Sequence, residues 1–226
     1  MKKRILITGA NGNLGQAVTR KFLEEGYDVI GFIAPGTNPD FRQAPNLEVH
    51  QADLMDEDQT FKAVEKLRDF EGAVLTVGGF GMGDFENTSL EQVEKMYRLN
   101  FLTAYNSSRA VFKRLKEKGK GGQIVLIGAR PALEPSAAKG VVAYAFSKRL
   151  VQYLSDIINQ ESEKTGITSS VVMPSLIDTL PNRKGMPDAD FDKWVKPETI
   201  ADNIHHLFTE SGKALRETVL KVYNES

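Results

Sequence analysis

Short apolar, β-branched runs alternate with longer helical patterns along this chain, and no other feature limits the fold as much. Arg4–Thr8, Asp28–Ile33, Leu47–Gln51, Ala73–Val77, Gln123–Ile127, Thr168–Met173 and Thr218–Val222 read as strands. Several are apolar almost throughout, as strands covered on both faces are. Between them, Leu14–Glu25, Asp56–Leu67, Leu90–Lys118, Val141–Thr165 and Pro197–Glu210 read as helices. Gly26, Gly119 and Gly166 stand where C-terminal caps belong. Strand–helix–strand units of this kind close into right-handed crossovers and a parallel sheet. The prediction is one α/β domain over residues 1–226: a doubly wound parallel sheet of about seven strands with helices on both faces. The long irregular stretches are Ala34–Asn46, Phe80–Ser89, Ala129–Gly140 and Pro174–Lys196. All four follow strands, where such folds carry their sites.

Composition narrows the partners. The 226 residues carry a formal net charge of −1, which suggests neither a nucleic-acid surface nor a membrane-binding face. There is no cysteine, so disulfides, thiolate zinc sites and iron–sulfur clusters are excluded. The adjacent His205 and His206 point to different helix faces and make a poor metal pair, so no metal site is expected. The apolar run before Gly9 is too short for a signal peptide or a span of roughly 20 residues, and a cytoplasmic location is expected.

The first strand ends in Thr8-Gly9-Ala10-Asn11-Gly12-Asn13-Leu14-Gly15, and a helix follows. One glycine permits a sharp turn, one permits close approach of a pyrophosphate, and one permits close helix–strand packing. The helix N-terminus then offers free N–H groups and partial positive charge to the phosphates. This context makes the turn a Rossmann-type dinucleotide site, with a plain tight βα turn as the lesser alternative. NAD-selecting folds place an acidic residue near the end of the second strand, but here Ile33 and Ala34 occupy it. Nothing there repels a 2′-phosphate and no evident basic clamp welcomes one. Arg42, in the next loop, is either such a clamp or a solvated residue. NAD and NADP both remain open. Asp53, followed by Leu54, either bonds an adenine or caps the helix starting near Asp56.

Tyr144 and Lys148 stand at i and i+4, on one face of a helix. An ammonium close to the phenol favours the phenolate and lowers its pKa from about 10, toward general acid–base work near neutrality. The bland alternative is a half-buried tyrosine beside a surface lysine.

Taken with the glycine turn, Asp53, Gly78-Gly79 after the fourth strand, Asn100 and the Tyr144–Lys148 pair, the chain resembles the short-chain dehydrogenase/reductase family over its whole length. The resemblance implies a seven-stranded Rossmann fold and an NAD or NADP cofactor. It implies that Tyr144 is the proton donor, that Lys148 holds the ribose and tunes the tyrosine, and that Asn100 completes a proton relay through water. Gly9, Asn11, Gly12, Asn13, Leu14, Gly15, Asp53, Leu54, Gly78, Gly79, Lys148, Pro174 and Thr179 become candidate cofactor contacts, Pro174 and Thr179 at the nicotinamide. The family's long helices pair across a two-fold axis, so a homodimer or homotetramer is expected.

One departure narrows the family. The serine expected after the fifth strand falls at Gly128 or Ala129, and Ser136 could replace it only if its loop folds back. That hydroxyl normally holds an oxygen on which charge develops. Gly78-Gly79-Phe80, Gly128–Leu133, Ile177–Thr179, Asn182–Phe191 and Trp194 are similar to the dihydropteridine reductase branch, which also lacks it. The branch implies a quinonoid dihydropterin as acceptor, with Phe80, Ala129 and Tyr144 on the substrate side. Phe80 either stacks on a flat ring or packs at the domain edge. Ile33 and Asn100 depart from the branch's usual pattern. Residues 174–196 suit a substrate lid, or a packing or dimer segment. A carbonyl, enone or quinone reductase, and a nucleotide-binding protein with a silent site, are the alternatives.

Overall fold

The computed structural model describes residues 2–37 and 44–226. Seven parallel strands form one sheet in the order β3-β2-β1-β4-β5-β6-β7. They are β1 (Arg4–Thr8), β2 (Asp28–Ile33), β3 (Leu47–Gln51), β4 (Gly72–Leu75), β5 (Gly122–Ile127), β6 (Ile167–Pro174) and β7 (Val219–Val222). The first three match the expected bounds residue for residue. The doubly wound α/β fold is as the alternation predicts.

Period-two alternation on these strands feeds two cores. Ile5 and Ile7 of β1 face one layer with Leu14, Val18 and Phe22 of α1 (Asn13–Glu24) and Ile200 and Ile204 of α7 (Pro197–His206). Leu6, between them, faces the other layer. There it joins Val64 of α2 (Glu57–Glu65), Val111 and Leu115 of α4 (Thr103–Lys118), and Val151 and Leu154 of α5 (Val142–Glu161). The strand order reverses between β1 and β4, so their C-terminal ends open a crevice at the switch point.

Two expectations need correction. The single helix Leu90–Lys118 is divided: α3 (Leu90–Met96) passes into a π-helical segment, Tyr97–Leu102, before α4 begins. Such insertions often accompany functional sites, and this one contains Asn100. The stretch 174–196 is not irregular throughout. It holds α6 (Leu180–Gly185), capped by Thr179, and a 3-10 turn at Phe191–Lys193. Among the described residues no helix is long and apolar enough to cross a membrane.

Candidate active site

A cleft of about 620 Å³ lies over the C-terminal ends of the central strands. One end is the start of α1. Gly12 occupies the N-cap without a side-chain hydrogen bond, and no acidic residue sits in the first turn. Asn13, Leu14 and Gly15 line the cleft, so the free N–H groups and the positive end of the helix remain available to an anion. Gly9 turns the chain at φ +64°. A Cβ on Gly15 would overlap the Gly9 carbonyl oxygen, so only glycine allows the helix this close to the turn. These features fit a pyrophosphate.

Gly9 and Asn11 are not part of the cleft lining. Asn11 Nδ2 donates to Thr37 Oγ1 at 3.4 Å and helps hold the loop after β2, as does Gln51, whose Oε1 accepts from Gly36 N and whose Nε2 donates to Thr37 O. No carboxylate stands at Ala34–Thr37, and Arg42 lies outside the described residues. Asp53 Oδ1 accepts from Met55 N at 3.0 Å, while Asp56 itself caps α2. Of the two readings of Asp53, adenine contact or helix cap, the cap falls to Asp56 instead. Leu54 brings no side chain to a cofactor: it is buried in the core, and its carbonyl accepts from Asn106.

Tyr144 and Lys148 share one face of α5 and both line the cleft. Lys148 is buried, and its Nζ donates to Ile127 O at 2.8 Å. Burial holds its ammonium down to about 8. The Nζ lies 5.9 Å from the centroid of the Tyr144 ring. The phenol is therefore not tuned as the spacing predicts. Desolvation dominates and pushes Tyr144 up to about 12, so it keeps its proton at neutral pH.

Asn100 is buried and does not line the cleft. Its Oδ1 accepts from Gly79 N at 2.9 Å, and its Nδ2 donates to Gly79 O at 3.1 Å and Ser147 Oγ at 3.0 Å. A side chain so engaged positions the loop after β4. Gly78, Gly79 and Phe80 of that loop line the cleft. Phe80 packs edge-on against Tyr144, with centroids 5.2 Å apart and planes at 69°.

At the missing hydroxyl, the two positions differ. A Cβ on Gly128 would overlap Met173 Sδ, so that position faces β6, whereas buried Ala129 is a wall of the cleft. Ser136 is exposed in a 3-10 turn and does not reach the cleft; its neighbour Ala137 does. Pro174 ends β6, and Thr179 caps α6 by accepting from Asn182 N at 3.4 Å; both line the cleft. The structure adds Thr76, Arg130, Asn182, Met186 and Ser226 to the lining. Thr76 and Arg130 follow strands and so carried a positional signal. Asn182 and Met186 belong to the stretch 174–196 read as a lid, whereas Ser226 reaches the cleft only through tertiary packing.

A helix dipole at a glycine turn and a Tyr–Lys pair in one crevice define a dinucleotide-dependent oxidoreductase type of site. The family model for short chain dehydrogenases matches residues 3–189, and the chain belongs to that family. It is 29% identical over 220 residues to the dihydropteridine reductase of Dictyostelium discoideum, covering 93% of this chain and 90% of that one. Among solved structures, a 4-hydroxyisoleucine dehydrogenase complexed with NADH superposes with a TM-score of 0.87 at 23% identity, covering 99% and 98% of the two chains. BdcA in complex with NADPH superposes at 0.85 with 22% identity, covering 99% and 92%.

Proposed function

We propose that this chain is an NAD(P)H-dependent reductase of a small planar conjugated acceptor, with a quinonoid dihydropterin as the first acceptor to test. The observation that carries this reading is a neutral Tyr144 and a buried Lys148 in one cleft where neither Gly128 nor Ala129 supplies a hydroxyl. A carbonyl substrate would ask for that donor, whereas a conjugated imine asks mainly for a proton. The name of the Dictyostelium relative supports the pterin, and the NADH and NADPH complexes of the structural relatives support the cofactor class.

A bound nicotinamide cofactor would supply the hydride. The chain's own residues have separate tasks. The N–H groups at Asn13–Gly15 would hold the pyrophosphate, and Lys148 the ribose hydroxyls. Pro174 and Thr179 would border the nicotinamide. Tyr144 would give its proton to the acceptor and regain one from solvent. Asn100 keeps Gly79, and with it Phe80, beside Tyr144. The segment 174–196 would cover the acceptor, and the protein would work as a homodimer.

A second acceptor class, quinones and enones, is favoured by the apolar share of the cleft lining, which includes Phe80, Ala137, Val141, Ile177 and Met186. The test is NADH and NADPH oxidation with freshly generated quinonoid dihydropterin, against a no-enzyme control. Turnover that collapses in Tyr144→Phe supports the reading and names the cofactor. Cofactor binding without turnover rejects the pterin, moves the search to quinones and enones, and raises a silent nucleotide-binding role.

A further inference from the structure

The chain leaving β4 reads Gly78-Gly79-Phe80-Gly81-Met82-Gly83-Asp84-Phe85, with glycine at alternate positions and a large apolar residue between. A Cβ on Gly79 would overlap Leu99 Cδ2; one on Gly81 would lie 3.3 Å from Met96 Sδ, and one on Gly83 2.6 Å from Thr88 Oγ1. Positions 79, 81 and 83 therefore face the protein, and in an extended chain the alternate positions face away. Phe80 is 62% exposed, Met82 75%, and Phe85, just beyond, 83%.

This is not a loose loop. Asn100 holds both backbone groups of Gly79. Gly83 N donates to Gly140 O at 2.8 Å, and Val142 N donates to Gly83 O at 3.0 Å. Asp84 closes the next turn by accepting from Asn87 N at 2.8 Å. The glycines let the backbone lie close against Leu99 and Met96 of the divided helix and Thr88 of the loop before it, and the result is a fixed ledge carrying three exposed apolar side chains. Large exposed apolar side chains on one short, held segment suit a binding surface.

Its inner end is the cleft wall, because Phe80 lines the cleft. Pro181 and Met186 of the α6 region line the same cleft, and Leu180 beside them is 73% exposed. Two segments, the β4 loop and the α6 region, thus bring apolar residues both to the cleft lining and to solvent. The charge pattern disfavours a membrane as the occupant. No Lys or Arg occurs from Gly78 to Glu94, while Asp84, Glu86, Glu91 and Glu94 do, and anionic lipid surfaces attract basic segments.

We propose that the acceptor carries an apolar arm, alkyl or isoprenoid-like, which leaves the ring in the cleft and lies along Phe80, Met82 and Phe85 against Leu180 and Met186. The inference rests on the reading of the cleft as the site of a planar acceptor. It ranks alkyl-substituted rings above rings bearing a polyol.

The experiment is methyl-labelled methionine NMR of the full chain, titrated with trimethylbenzoquinone and with its decyl-substituted counterpart, while NAD(P)H oxidation is followed in parallel. The Met82 and Met186 methyls should shift with the decyl compound, and Met173, fully buried, should not. The decyl compound should bind at least tenfold more tightly than its parent. Phe85→Ser, at an exposed position outside the cleft, should erase that advantage and leave the parent's binding unchanged. A tenfold preference without turnover sinks quinone reduction and leaves the arm site standing. Equal affinities, no response of Met82, or a preference that survives Phe85→Ser overturn the arm site. So do Met82 shifts produced by protein concentration alone, which indicate a second copy, or by phosphatidylserine vesicles alone, which indicate a membrane.

Discussion

Asn100 grips Gly79 by both of its backbone polar groups, across twenty-one positions of sequence. The π-helical segment carries Asn100 into this position, and Ser147 of α5 accepts the remaining Nδ2 hydrogen. One amide thereby joins the β4 loop, the split helix and the helix of Tyr144. Asn100→Ala leaves Gly79 N–H and C=O without these partners, at a cost of about 1–3 kcal/mol. The expected outcome is faster hydrogen exchange at Gly79 and a raised KM. Asn100→Asp, which keeps the acceptor and loses the donor, should recover part of the protection.

Tyr144→Phe isolates the proton. No hydrogen bond from the Tyr144 hydroxyl occurs among the described residues, so stability should hardly change. Turnover should fall by roughly 10²–10⁴-fold, the span of general acid catalysis, with cofactor binding kept. Stopped-flow turnover beside a cofactor titration separates the two.

Lys148→Met should stabilise the cofactor-free protein at neutral pH. The folded ammonium is held down to about 8 from 10.5 by burial. Between those values the unfolded chain binds the extra proton, so stability rises with pH across that window and the penalty is fully present below pH 8. Replacement should therefore gain at most about 3 kcal/mol at pH 7, less what the Ile127 carbonyl loses with its donor, a gain that shrinks as pH approaches 10.5. Urea midpoints of both proteins at pH 7 and pH 10 check the sign. Cofactor affinity should fall in the same variant.

Serine scanning after β5 should separate two adjacent positions. Gly128→Ser forces Met173 aside and should cost about 1–3 kcal/mol, as overpacked cores do. Ala129→Ser turns a hydroxyl to the cleft and should be tolerated. It should also add activity on simple carbonyl acceptors, read as a rise in their kcat/KM.

The outer face of α5 exposes Phe146, Leu150, Tyr153 and Ile157, spaced as one helical stripe. Tyr97 and Tyr105 are exposed on the divided helix. If these faces pair two copies, the wild-type protein sediments as a dimer, and Tyr153→Glu with Ile157→Glu yields a folded monomer. A wild-type monomer at micromolar concentration would remove the homodimer from the proposal.

What the sequence by itself determined is what short-range periodicity encodes. Apolar runs with the period of a strand set β1, β2 and β3 to the residue. Gly26 and Gly119 adopt the positive φ expected just past helix ends, whereas α5 stops at Glu161, short of the expected Thr165, and Gly166 takes its positive φ in the turn before β6. The glycine turn and the i, i+4 pair of Tyr144 and Lys148 follow from local geometry and needed no partner to be read. Tertiary structure decided everything that depends on what a side chain meets. Asn100 became a clamp because the β4 loop folds onto the π segment, and Leu54 went into the core. Tyr144 has a raised pKa because burial disfavours the phenolate, while the Lys148 ammonium bonds Ile127. Spacing fixes which residues share a face, but desolvation and long-range hydrogen bonds exist only once the layers have packed.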